Sequence, residues 1–240
     1  MKQKGQKDIF KSGVTFKQMK EIYQFDKRLR ETLLYYLESI EIEFRSKIAY
    51  YHAHEFGALG YKNPDNFNRP KFHREFLSRL EKEIDRSNKE LFVIHHKAKY
   101  KGLFPFWVAI EVMSFGELSK LFRNLPRKIK GRIIKDFSVD PHTASSWLHS
   151  LSYVRNICAH YGRLYGKKLS IKPHLEKSHM KNQFDNTQIF AAIFSLCKLL
   201  HQKDLQNLIN TLQNLFDEYA IYIDLNDIGF PNEWEVLLNS

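Results

Sequence analysis

From Phe16 to Glu55 the chain carries neither glycine nor proline, and Leu29, Leu33, Leu37, Ile40, Phe44 and Ile48 recur at steps of three and four. That is the α-helical period, and it predicts one very long helix, or two meeting at a bend near Asp26. Thr15 and Gln18 fit a capping box that opens this helix at Phe16. "GALGYKNPDNFNRP" then reads as a loop, and a charged helix is predicted from about Lys71 to Asn88, with Phe72, Phe76, Leu80 and Ile84 on one stripe. Pro105 stands where a first-turn proline would, ahead of "FWVAIEVMSFGELSKLFRNL", a single predicted helix that Pro126 ends. Asp140-Pro141 reads as an N-cap followed by a first-turn proline, opening a helix through "SWLHSLSYVRNICAHYGRLYG". Gly162 and Gly166 loosen the chain after it, and a basic irregular segment is expected to Asn186. Helices over roughly Thr187–His201 and Leu205–Ile223 and a short one in "PNEWEVLL" complete the pattern. Strand signals are nearly absent, so the predicted fold is all-α, with the helices packed as a bundle.

Composition adjusts this picture in three ways. With 240 residues, 43% of them hydrophobic, the chain can bury a large core without staples, and no Gly/Ser/Pro-rich linker divides it, so one domain is expected over 1–240. The two cysteines, Cys158 and Cys197, do not make a disulfide framework, and a reducing cytoplasmic setting suits them. The basic N-terminus "MKQKGQKDIF" lacks the apolar core of a secretory signal, and no apolar run approaches the roughly 18 residues that span a bilayer.

Charge is the third. The net charge is +11, and it is uneven: residues 204–240 hold seven acidic residues and no Lys or Arg, so residues 1–203 carry +18. A basic body with a separate acidic C-terminal part suggests a polyanionic partner, although a lysine-rich protein with no such partner gives the same balance.

The helix after Asp140 carries the candidate chemistry. On a wheel advancing 100° per residue from Trp147, Leu151, Val154 and Cys158 fall within about 40° of it, an apolar stripe. His149, Ser152, Asn156 and His160 fall opposite, between about 140° and 220°, with Arg155 on the flank near about 80°. A solvated polar face is the plain reading. The company argues for more, because imidazole exchanges protons near neutral pH and guanidinium holds phosphate oxygens with paired hydrogen bonds. Asn156, four residues before His160, can fix the ring or hold a ligand oxygen. Arg163, Lys167 and Lys168 follow at once and can track a nucleic-acid backbone.

"WLHSLSYVRNICAHYGRL" resembles the signature of Abi-like (AbiD/AbiF type) abortive-infection proteins of the HEPN superfamily, marked by Arg, four to six residues, then His. Arg155 and His160 supply that spacing with four residues between them. "FKQMKEIYQFDKRLRETLLYYLESIEIEFRSKIAYY", "PFWVAIEVMSFGELSKLFRNL" and "DIGFPNEW" are similar to the family in the same order, so the likeness runs from about Val14 to Trp234. It implies a HEPN-like helical bundle with additional helices, and a metal-independent endoribonuclease of anti-phage defence without a cofactor. It also implies a homodimer in which motifs of two protomers meet, and RNA as substrate and as a bound non-coding partner. In that chemistry His160 is general base or acid as a ribose 2′-hydroxyl attacks the neighbouring phosphate, Arg155 stabilises the transition state, and Asn156 positions an oxygen or the ring. In this chain Tyr161 stands where a second His often sits. Two alternatives stay open: a non-catalytic module clamping a structured RNA, and a helical protein-interaction or antitoxin-like subunit.

Other residues invite weaker readings. Arg45 and His52 repeat the motif with six residues between, and Arg45, with Glu41 or Glu43, is a candidate for an RNA cleft shared with Arg155. The plain reading of Arg45 and His52 is an exposed arginine and a surface histidine on an amphipathic helix. Glu111, in an apolar run, is expected in a structural ion pair or at a helix edge, or else paired with Arg155 or orienting His160. Gly116 inside its helix suggests a close helix–helix approach. His52, His54, His95 and His96 lack nearby carboxylates or cysteines at ligand spacings, so no metal site is expected.

Overall fold

The computed structural model describes residues 15–176 and 184–240; the N-terminal decapeptide and part of the basic segment before Asn186 lie outside them. The described residues form helices and loops with no strand. No helix among them is long and apolar enough to cross a membrane.

Helix α1 runs unbroken over Phe16–Phe56, 41 residues, so one long helix forms rather than two. The Thr15 hydroxyl oxygen accepts the Gln18 N–H at 3.1 Å, which fixes its start as the sequence predicts. It is followed by α2 (Pro70–Arg86), α3 (Leu91–Lys99), α4 (Phe106–Ala109), α5 (Phe115–Asn124), α6 (Arg127–Ile133), α7 (Pro141–Ala159), α8 (Ile189–Cys197), α9 (Gln202–Tyr219) and α10 (Trp234–Asn239). The short helices α3 and α6 were not legible in the apolar pattern.

The predicted single helix after Pro105 is in fact two. A 3₁₀ turn over Ile110–Val112 follows α4, Met113 is extended, and Ser114 opens α5 by accepting the Glu117 N–H at 3.3 Å. Ser114 and Glu117 thus form the kind of cap that resets a helix, and this local competition outweighs the apolar run. A Cβ on Gly116 would meet only the Ser114 hydroxyl, at 3.9 Å, so no close helix approach explains that glycine.

Contacts cluster into two compact units. Of the described residues, one comprises 15–36, 154–170, 176 and 184–240. Within it α8 is apolar on every side and wholly buried, as a central helix must be. Phe25, Phe216, Phe230 and Trp234 form its aromatic core, with ring centroids 4.8 Å apart for Phe216–Phe230 and 5.5 Å for Phe230–Trp234.

The other comprises residues 37–153 and 171–175. Here Phe44 of α1 sits 5.7 Å from Phe122 of α5 and 5.8 Å from Phe137. The 171–175 strap is tied to α7: the Trp147 indole N–H donates to the His174 carbonyl at 2.7 Å, and the Ser150 hydroxyl to that of Ile171 at 3.0 Å. His52 is not the surface histidine the sequence suggests: it lies fully buried among Phe56, Phe67 and Phe106, and neither ring nitrogen has a hydrogen-bond partner. Burial holds its pKa down to about 4. His54 stacks on Tyr50, and His95 and His96 make ring contacts with Tyr100.

Candidate functional site

Helix α7 begins as its sequence requires. The Asp140 carboxylate accepts the N–H groups of His142 at 2.8 Å and Thr143 at 3.3 Å, and Pro141 occupies the first turn. Trp147, Leu151, Val154 and Cys158 are each at most 2% exposed, so the apolar stripe is the buried face. Burial also pushes the Cys158 thiol up to about 12, which leaves it an inert packing group.

The polar side is narrower than the wheel predicts. Ser152 is buried and its hydroxyl turns back to the His149 carbonyl at 2.9 Å. A serine on a helix satisfies itself this way at little cost, so wheel position alone did not reveal its burial. His149 is half-buried and sits by Arg123 and Lys120; burial first, then those two cations, lowers its pKa. What stays at the surface is the last turn: Asn156 and His160 are exposed and Arg155 is half-buried on their flank. The Arg155 guanidinium approaches the Asn156 side-chain oxygen at 3.5 Å, a long and weak contact.

The end of α7 is closed by the chain just beyond the motif. The Gly162 N–H reaches the Ile157 carbonyl at 2.7 Å and the Tyr161 N–H that of Cys158 at 3.1 Å, the paired bonds of a Schellman stop with His160 as the C-cap. Tyr161 takes the left-handed position, φ 57°, that glycine or asparagine normally fills. Gly162 is needed for contact: a Cβ there would lie 2.9 Å from the Ile157 side chain and 3.1 Å from its carbonyl oxygen.

Asp26 anchors the segment beyond this stop. It is 2% exposed, forms an ion pair with buried Arg30 one turn along α1, and accepts the N–H groups of Leu164 at 2.9 Å and Tyr165 at 2.7 Å. The Tyr165 hydroxyl donates to Asp227 at 2.8 Å and accepts the Asp224 N–H at 2.8 Å. Burial and the Asp227 carboxylate raise its pKa. Asp26, Arg30 and Tyr165 were missed as site residues, although an Asp and an Arg one helical turn apart is a readable signal of a paired charge.

Arg163 and Tyr161 line a cleft of about 550 Å³ over this anchor, with Tyr23 and Tyr165. Lys167 is half-buried on the same segment. Lys168 is engaged elsewhere, 2.6 Å from Asp185, whose carboxyl that ammonium and Thr187 hold down to about 2. Arg45 belongs to the other unit and is committed there: its guanidinium donates to Glu41 at 2.7 Å and to the Met113 carbonyl at 2.7 Å. Glu111 stands 3.6 Å from the same guanidinium, which makes it a structural ion-pair member. Among the described residues no group of three His, Cys, Asp or Glu is placed to hold a metal ion.

A family profile described as Abi-like protein matches residues 1–166, a span that ends just after the Arg155–His160 motif and the anchored segment. No curated protein and no solved structure matches the chain.

Proposed function

The chain belongs to the Abi-like protein family, and from that premise we propose that it acts in abortive-infection defence in the cytoplasm as a metal-independent HEPN-type endoribonuclease. One observation carries the reading: on a helix whose other face is locked into the core, the groups left at the surface of the last turn are Arg155, Asn156 and His160.

The division of labour comes from the groups themselves. The His160 imidazole takes the proton of a ribose 2′-hydroxyl or returns one to the leaving oxygen. As the phosphate gains charge, the Arg155 guanidinium donates to its oxygens, and Asn156 orients an oxygen or the ring. The Schellman stop and the Asp26 anchor keep these groups from drifting, because the backbone on both sides of His160 is hydrogen-bonded. Arg163 and Lys167 supply positive charge along the RNA path. Arg155 and His160 are about 140° apart around the helix axis, so the reading places a second copy's motif opposite the first, in a homodimer.

A second reading, an RNA clamp without cleavage, is favoured by one feature. Among the described residues no side chain hydrogen-bonds to the His160 ring, whereas a general base is usually oriented by a neighbour.

The test is incubation of RNA with wild type, Arg155→Ala and His160→Ala in chelator. Cleavage to 2′,3′-cyclic phosphate ends, absent on DNA and lost in His160→Ala with RNA binding retained, is the expected result. A clean wild type that binds RNA and leaves it intact selects the clamp. One that does neither removes both readings.

A further inference from the structure

A second basic site lies entirely within the unit of residues 37–153 and 171–175. Arg123 at the end of α5, Arg127 and Lys130 on α6, and His142 and His149 on α7 line one cleft of about 580 Å³. Three consecutive helices therefore bring cationic or protonatable residues to the wall of one space, with the Arg123 guanidinium also lying 5.7 Å from the Phe72 ring centre.

The charges there are not balanced by the protein. Among the described residues no carboxylate lies within ion-pair distance of exposed Arg123 and Arg127 or of half-buried Lys130, whereas half-buried Arg45 pairs with Glu41 and half-buried Lys47 with Glu43 and Asp136. The one carboxylate in the lining, Asp140, is occupied with the His142 and Thr143 N–H groups. Lys130 is pushed down in pKa, first by burial and then by Arg127. Lys130 also donates to the Arg123 carbonyl at 3.3 Å, which holds its ammonium beside the other cations rather than out in solvent. Like charges held together at a cost, with no anion from the chain, are what an oxyanion ligand relieves.

The size and lining narrow the ligand. The volume falls in the range of about 300–1,000 Å³ that small-molecule sites occupy. Two serines and a proline complete the wall, with no Phe, Tyr or Trp to stack a base and no Leu, Ile, Val or Met to receive a lipid chain. Recognition must come from the anionic part of the ligand, and two helices, α5 and α6, each contribute cations to the cleft.

We propose that this cleft binds ligands carrying adjacent phosphate groups, whether the polyphosphate tail of a nucleotide or consecutive phosphates of a nucleic-acid strand. It is independent of the ribonuclease reading, since none of its residues belongs to the motif and neither proposal requires the other.

The experiment measures equilibrium binding, at physiological salt, of inorganic tripolyphosphate, ATP and short single-stranded oligothymidylate, which lacks the 2′-hydroxyl and is no substrate for the proposed cleavage. The proteins are wild type, Arg127→Gln/Lys130→Gln, Arg127→Gln alone in case the double variant folds poorly, and Lys82→Gln/Lys89→Gln, which removes the same charge from exposed sites. Tripolyphosphate affinity is expected to fall about tenfold or more in the cleft variants and to hold in the control, as loss of a charge-assisted contact requires. A parallel fall for ATP alone identifies the nucleotide tail, and a fall for the oligonucleotide alone identifies the strand. Equal affinities in wild type and both cleft variants for every probe, or no binding of any probe to wild type, overturn the proposal.

Discussion

The Asp26 carboxylate on α1 accepts the backbone N–H of Tyr165 at 2.7 Å across 139 residues of sequence. With the Leu164 N–H and the Arg30 guanidinium, that bond makes one buried acid the clasp between the first helix and the segment that follows His160. Asp26→Ala leaves Arg30 buried without its partner and two backbone donors unsatisfied. A loss of about 3–5 kcal/mol is expected in urea denaturation. Asp26→Leu/Arg30→Met should recover only part of it, because the two N–H groups still lack an acceptor. A loss below about 1 kcal/mol in Asp26→Ala would show that the clasp contributes little.

Tyr161 is 85% exposed, so no core packing offsets its left-handed backbone. Tyr161→Gly is expected to raise stability by about 1 kcal/mol, the relief of strain exceeding the greater freedom glycine has in the unfolded chain. Gly162→Ala should act in the opposite direction through its clash with Ile157. Thermal melts of the two variants check both signs, and a lower melting temperature for Tyr161→Gly contradicts the strain argument.

His52 makes folding stability depend on pH. Its ordinary pKa of 6.5 is lowered to about 4 by burial and by nearby His73. Below 6.5 the unfolded chain takes up a proton that the folded chain refuses, so stability from this group is complete above pH 6.5 and falls as pH drops toward 4. The total is about 3 kcal/mol at roughly 1.4 kcal/mol per unit. His52→Leu should flatten that part of the stability-against-pH curve; an unchanged slope between pH 6.5 and 4 would assign the dependence to other groups.

Arg163 and Lys168 carry the same charge but differ in commitment. Arg163 lines an open cleft, and Lys168 is paired with Asp185. If RNA tracks the segment after His160, Arg163→Gln should reduce the slope of log affinity against log salt for single-stranded RNA by about 0.7. Lys168→Gln should leave it nearly unchanged. Equal effects of the two substitutions would mean the Lys168–Asp185 pair opens on binding.

The local grammar of the chain determined a good deal by itself. The leucine and isoleucine steps from Leu29 to Ile48, the Thr15 cap and the Asp140-Pro141 start each rest on interactions within a few residues, and α1 and α7 obey them closely. The buried stripe of α7 and the exposed Asn156 and His160 were legible for the same reason, since helical periodicity alone separates the two faces. Tertiary structure decided what periodicity cannot express. Ser152 lies on the polar side of the wheel yet is buried, Glu111 and Arg45 find each other rather than the motif, and Asp26 clasps a segment more than a hundred residues away. Arg123 and Arg127 carry no local signal, and His149 reads with Asn156 and His160, until three helices converge on one cleft. Burial and electrostatics depend on which distant segments pack together, and no local run of residues carries that information.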